Sequence, residues 1–281
     1  MKNHMRGQNW YISRIITYAC AIFLIVIIFF PFYWIVSSSL KNQSAIFDMP
    51  PQMYPHEPTL ENYTYAIMNS KILSYSVNSV ILAGSTMIAC IVISVMAVYP
   101  LTRMKFRGKK VFFGLLAITQ VFPVVITIVP LYMMFQQTGL YNTRFSLIFT
   151  YTATCIPICT VLLMGYFRDI PREMEEASII DGCNRMQTLL KVVLPISLPG
   201  IVASAIYVFL SIWQEYLAAV SLLSDSRKYP LTVGLTLFRS EHTTNWGALM
   251  ATAVVIAAPA IVLFFAIEKH FIDSLAGSVK E

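Results

Sequence analysis

Charge is what this chain has least of. Asp, Glu, Lys and Arg make up 12% of its 281 residues, about half the share of a soluble domain. Six long apolar runs, 15–36, 76–99, 111–134, 146–167, 198–222 and 247–267, hold one ionisable side chain among them, Glu215. A soluble fold cannot bury that much continuous apolar surface. Hydrocarbon is the natural solvent, and each run is long enough to cross a core of roughly 30 Å at 1.5 Å per helical residue. Histidine is missing from all six: His4, His56, His242 and His270 lie outside them. An intramembrane serine hydrolase would have no base there, and an ion-coupled carrier would have no midplane ligand beyond Glu215. No Gly-x-x-x-x-Gly-Lys-[Ser/Thr] stretch occurs, so the chain cannot cradle ATP phosphates by that device. Cysteine is scarce and scattered. Cys20, Cys90, Cys155 and Cys159 fall in apolar runs and Cys183 in a polar loop, which implies no disulfide framework. Cys155 and Cys159 have no histidine nearby, so they read as small packing residues and no metal site is expected.

The charge that is present has a direction. The net charge is +6, with the cations in loops between apolar runs, a pattern of membrane orientation rather than nucleic-acid binding. With the N-terminus inside, fourteen of the 20 Lys and Arg fall on the inner side, the densest group being "RMKFRGKK" at 103–110. Lys2, Arg6 and Arg14 precede a first run with no cleavage site, so that run reads as a retained span. The expected architecture is an all-α integral membrane protein with six transmembrane helices and both termini cytoplasmic. Residues 1–14 form the inner N-terminus, 15–268 the six-span domain and 269–281 an inner tail. An outer loop, 37–75, carries the Pro-rich stretch "DMPPQMYPHEPTLENY" (48–63), too polar for the bilayer and too rich in proline for a helix. Pro31, Pro123, Pro130, Pro157 and Pro259 lie inside spans and are read as kinks.

The inner loop 168–197 is the most informative. Its sequence, with flanks, is "FRDIPREMEEASIIDGCNRMQTLLKVVLPISLPG" (167–200). Pro171 suits a first helical turn, and Glu173, Glu175 and Glu176 suit the positive end of the helix dipole. Gly182 suits the left-handed position that ends a helix. Asn184 with Gln187 forms a capping box for a second helix, which Pro195 stops. A charged helix–Gly–helix tied at both ends to spans makes a rigid knob. The simpler alternative is an amphipathic linker on the membrane surface; tethering at both ends leaves no free recognition helix for DNA.

This loop resembles the signature of bacterial ABC-importer permeases: Glu-Ala-Ala, three residues, Gly, nine residues, then Ile-x-Leu-Pro. Glu176-Ala177-Ser178, Gly182, Val192 and Leu194-Pro195 fall on that spacing, with Ser178 and Val192 as the departures. Further stretches, "TLENY" (59–63), "IWQEYLAA" (212–219), "YPLTVGL" (229–235), "NWGALMA" (245–251) and "LAGSVKE" (275–281), resemble the second permease of maltose-type, carbohydrate-uptake importers. Where that family has Trp-Asn-Glu, this chain has Trp213-Gln214-Glu215, and its tail ends Gly277-Ser278-Val279-Lys280-Glu281 rather than Gly-Ala-Val-Lys-Gly.

The resemblance implies a multi-pass permease of the bacterial cell membrane that passes a di- or oligosaccharide and is not itself an enzyme. It implies no cofactor in this chain, with ATP and Mg held by a partner ATPase. It implies four kinds of partner: membrane lipid, a second homologous permease, a dimer of ATPase subunits and an extracytoplasmic sugar-binding protein. Glu176, Ala177, Ser178, Asp181, Gly182, Leu194 and Pro195 would couple to the ATPase, and Gly277, Ser278, Val279 and Lys280 would form a tail reaching it. Trp213, Gln214, Glu215 and Tyr216 are expected along the substrate path. An ionisable residue within a span is a functional candidate, and aromatic faces beside hydrogen-bonding groups suit sugars; outer water for Glu215 and an interfacial belt for the aromatics are the competing readings.

Overall fold

The computed structural model describes residues 2–68, 70–238 and 244–278. Its helices are α1 (Lys2–Ser39), α2 (Glu61–Met68), α3 (Ile72–Arg103), α4 (Lys109–Val121), α5 (Val124–Gln137), α6 (Arg144–Asp169), α7 (Arg172–Ile180), α8 (Arg185–Thr188), α9 (Leu194–Ile196), α10 (Leu198–Trp213), α11 (Leu217–Leu222), α12 (Leu231–Thr236) and α13 (Trp246–Ser278). No strand occurs among the described residues.

Four helices, α1, α3, α6 and α13, are long and apolar enough to span a bilayer, and two bent helix pairs bring the number to six if each pair is one span. The bends have identifiable causes. Between α4 and α5 the axis turns by 97°. Pro123 stands at the turn with no N–H to give, and Phe122 before it is extended, at φ −80° and ψ 119°. The second bend, 78°, separates Arg185–Ile196 from Leu198–Trp213. The expected fifth span, 198–222, is not one helix either: α10 ends at Trp213 and α11 starts afresh at Leu217. In the loop 37–75, helix α2 begins at Glu61, just beyond the last proline, Pro58.

The chain forms two compact units, Met1–Ser70 with Phe238–Ala257, and Lys71–Leu237 with Ala258–Glu281. In the first, the "TLENY" stretch ties down the end of α1. Asn62 donates from Nδ2 to the Ser39 and Lys41 carbonyls at 2.9 and 2.7 Å. Tyr63 and Ser39 share a hydroxyl hydrogen bond of 2.8 Å. The Lys41 ammonium donates to the Gln52 carbonyl at 2.5 Å and lies 4.6 Å from the Trp34 ring centroid. Its burial lowers its pKa from the usual lysine value, and Asp48 pulls the other way.

The second unit is organised by α3, α6 and α10. Apolar surface gains little by leaving lipid for protein, so membrane helices associate through close packing and polar contacts. Small residues accordingly line the buried faces: Ser79, Ala83, Thr86, Cys90 and Ser94 on α3, and Cys155, Cys159 and Thr160 on α6. The three buried cysteines are free thiols. Thr160 donates to the Ser94 hydroxyl across the interface at 3.2 Å. Gly200 on α10 lies against Tyr166 of α6, where a Cβ would meet the ring's Cγ at 2.2 Å. Gly200→Ala should therefore lose about 1–3 kcal/mol to overpacking, read as a lower melting temperature in detergent. Gly165→Ala, with nothing within 4 Å of its Cβ, is the control; equal melting of the two variants contradicts the packing assigned to α10 and α6.

Candidate coupling and pathway site

The loop 168–197 folds as its local chemistry dictates. Pro171 precedes α7 with φ −58° and ψ 138°. Gly182 takes φ +86°. The Cys183 N–H reaches the Ser178 carbonyl and the Gly182 N–H the Ile179 carbonyl, each at 3.0 Å, which closes the helix in a Schellman motif. Asn184 and Gln187 exchange the two hydrogen bonds of a capping box, at 2.9 and 2.8 Å. Pro195 does not end the second helix. The segment runs on from Arg185 to Ile196 and turns at Ser197. Pro195 has no N–H for the Lys191 carbonyl, and the backbone widens into a π turn over Leu189–Val193 immediately before it.

Two faces result. Inward, Glu175, Ser178, Thr188, Leu189 and Val193 are buried, and Leu189 and Val193 belong to the same apolar core as α3, α6 and α10. The Ser178 hydroxyl meets that of Thr188 at 2.9 Å and bonds its own helix at the Glu175 carbonyl. Outward lie Glu176, Ala177, Asp181, Gly182 and Pro195, with Leu194 half-buried. Apolar side chains of the loop are exposed as well: Met174, Ile179, Ile180 at 86% exposure, and Met186. Exposed apolar side chains among charged ones are the composition of a protein-binding surface.

The knob is also tied to a spanning helix by an ion pair. Arg103, the last residue of α3, donates from Nε to Glu175 Oε1 at 2.5 Å and from Nη2 to the Ile170 carbonyl at 3.0 Å. The two side chains are only 9% and 11% exposed. The Tyr99 hydroxyl lies 3.5 Å from Glu175 Oε2. The sequence places Arg103 in the orientation cluster and Glu175 among the dipole carboxylates, and does not single out the pair. The available signal is periodicity: positions 175 and 178 share a helix face that 176 does not.

The second group of expected site residues sits at the break between α10 and α11. Glu215 makes that break. Its Oε1 accepts from the Ala218 N–H at 2.7 Å, and its Oε2 accepts from the Ala219 N–H at 3.3 Å and from the Tyr151 hydroxyl of α6 at 2.5 Å. The Thr232 hydroxyl donates to the Glu215 carbonyl at 2.6 Å. In an unbroken helix those two amides would bond the carbonyls of Gln214 and Glu215. Here the carboxylate takes both, starting α11 as a capping side chain does. Glu215 is half-buried and Trp213 buried, stacked on Phe209 at 5.7 Å, whereas Gln214 and Tyr216 are exposed.

The end of the second unit formed by loops 138–143 and 223–230 is rich in cations. Arg144 donates to Asn78 at 2.7 Å and Lys228 to the Asn142 carbonyl at 2.6 Å. Arg227 binds Asp225, holding that carboxyl down at about 2. Thr143, Arg144, Asp225, Arg227 and Lys228 line an open hollow of about 530 Å³. Of the expected tail, Gly277 and Ser278 are the last turn of α13, and Val279 and Lys280 lie outside the described residues.

The described residues thus hold long apolar helices, two bent helix pairs and a helix–Gly–helix loop. The chain matches, over residues 91–276, the family described as binding-protein-dependent transport system inner membrane component. It belongs to that family, and is a membrane permease subunit rather than an enzyme. It is 32% identical to the sulfoquinovosyl glycerol transport system permease protein SmoH of Agrobacterium fabrum, over 97% of this chain and 96% of that one. It is 34% identical to the diacetylchitobiose uptake system permease protein NgcG of Streptomyces coelicolor, over 95% of this chain and 87% of that one. It shares its fold with a chain of a bacterial ABC transporter involved in the import of the acidic polysaccharide alginate, with TM-score 0.82 and 22% identity over 92% of this chain and 96% of that chain.

The Glu215 junction makes a specific expectation. A hydrogen bond to a charged group contributes about 1.5–3 kcal/mol. Glu215→Ala, which strands the Tyr151 hydroxyl and two amides, should lower the melting temperature more than Tyr151→Phe, and Glu215→Gln should fall between them and the parent. Melting of Glu215→Ala at the parent temperature contradicts the capping role.

Proposed function

We propose that this permease imports a carbohydrate of di- or oligosaccharide size, working beside a second homologous permease. A pair of ATPase subunits drives it, and an extracytoplasmic sugar-binding protein delivers the substrate. The observation that carries the reading is the knob 172–194: a rigid helix–Gly–helix on the family's signature spacing, anchored inward by its polar and apolar contacts and leaving apolar side chains exposed. The carbohydrate assignment is supported by two relatives above 30% identity whose names specify sugar glycosides.

The inner excess of Lys and Arg puts both termini, the knob and the tail in the cytoplasm. There the ATPase pair holds ATP and Mg, and this chain holds no cofactor. Glu176, Ala177, Asp181 and Gly182 face the ATPase. Glu176 is exposed and available for a charge-assisted bond, while Ser178, Leu194 and Pro195 hold the knob's shape. The tail from Gly277 to Lys280 reaches the same partner. The cation-rich end around Arg144, Arg227 and Lys228 then lies outside, where it attracts the sugar-binding protein. Along the path, exposed Gln214 and Tyr216 meet the sugar, and Glu215 and Trp213 set their positions from behind.

Coupling needs an element whose two positions are biased by both sites, and a floppy loop cannot serve. Gly182 supplies the sharp turn. A Cβ there meets nothing within 4 Å, so its cost is backbone strain of about 1–2 kcal/mol rather than a clash. Gly182→Val should insert normally, hold its ATPase weakly in pull-down and transport poorly. The sugar for the assay is chosen by screening labelled disaccharides on the cognate receptor. Glu176→Ala should give a milder form of the same defect. Normal uptake together with normal pull-down for Gly182→Val would falsify the coupling role and leave the amphipathic-linker reading.

A further inference from the structure

We infer that the buried Arg103–Glu175 pair is the joint through which the knob moves α3, so that both are positioning residues for transport. The inference rests on the coupling role proposed for the loop. Helix α7 buries only two of its nine residues, Glu175 and Ser178. Ser178 is engaged within the loop, by Thr188 and the Glu175 carbonyl, so it stiffens the knob without linking it to a span. Glu175 makes that link. Its carboxylate is held by Arg103 at the end of α3, and the same guanidinium holds the Ile170 carbonyl just before α7. One planar fork thus grips the side chain of α7 and the backbone leading into it, a two-point hold that a lysine ammonium does not reproduce.

The other attachment is of a different kind. Leu189 and Val193 lie in the apolar core, and such contacts are non-directional. An ion pair at 9% and 11% exposure resists separation, because parting it leaves two uncompensated charges away from water. A pull on α7, which the chain itself carries into α6 and α10, is therefore also passed to α3, which packs against both. Within "RMKFRGKK", Lys105 and Arg107 lie beyond the end of α3 and Lys109 opens α4, whereas Arg103 turns back onto the loop.

The test uses the assembled importer, with partner permease, ATPase pair and receptor, in liposomes. A Gln214→Cys reporter in a background without other cysteines is labelled with a methanethiosulfonate ethylammonium reagent, with and without ATP and Mg. ATP should change the labelling rate at least about fivefold in the parent, the size of a typical coupling between sites. Glu175→Gln should keep its ATPase in pull-down and keep hydrolysing ATP, yet lose most of that change. Arg103→Lys should be intermediate. The swap Arg103→Glu with Glu175→Arg should recover most of the response, although either reversal alone abolishes it. A role confined to stability would lower assembly and hydrolysis together with labelling and would not spare the first two. A parent-like ATP response in Glu175→Gln overturns the inference, as does loss of assembly in step with response in both Glu175→Gln and Arg103→Lys. Failure of the coupling role itself reads differently: the parent reporter then ignores ATP and Gly182→Val transports normally.

Discussion

A charge pair buried where a membrane helix ends is the constraint on which the rest depends. Arg103 closes α3 and Glu175 lies in the first turn of α7, and each is nearly sealed from water. Removing one partner of such a pair typically costs about 3–5 kcal/mol, because the survivor stays buried and unpaired. That cost holds α7 to one register against α3. With α7 fixed, Gly182 sets the direction of the second helix, and Leu189 and Val193 enter the core that also holds Phe167 and Leu163. The exposure of Met174, Ile179, Ile180 and Met186 follows from which residues those contacts consume.

The Glu215 junction solves a similar problem inside the apolar region. A carboxylate there is tolerated when every lone pair in reach has a donor. Two amides of α11 and the Tyr151 hydroxyl supply them. The same bonds break the helix, so Gln214 and Tyr216 stand out from the break while Glu215 is drawn in. One residue thereby accounts for both the interruption of the fifth apolar run and the exposure of its neighbours.

Much of this is legible in the sequence where the governing rule is local. Gly182, Asn184 and Gln187 read correctly as a helix stop and start, because those bonds span only a few residues. The family follows from the spacing of Glu176, Gly182 and Leu194-Pro195. Pro123 reads as a kink and the chain does turn there, but the size of the turn, 97°, is not written in the dipeptide. Pro195 misleads: its missing N–H is absorbed by a π turn, and the chain bends two residues later at Ser197. Glu215 stands out for its charge, but its hydroxyl donor is 64 residues away in α6. Arg103 does not stand out from its neighbours, since a tally of cations weighs them equally and only burial separates them.

If α7 and α3 travel as one body, a distance between them measures it most directly. Spin labels at Arg172 and Met96, both exposed, report the separation of the knob from the last turns of α3 in the assembled importer. The expected result is one narrow distance distribution, the same with and without ATP and Mg, that broadens in Glu175→Gln. A separation that changes with ATP in the parent, or a distribution untouched by Glu175→Gln, would contradict the single-body joint.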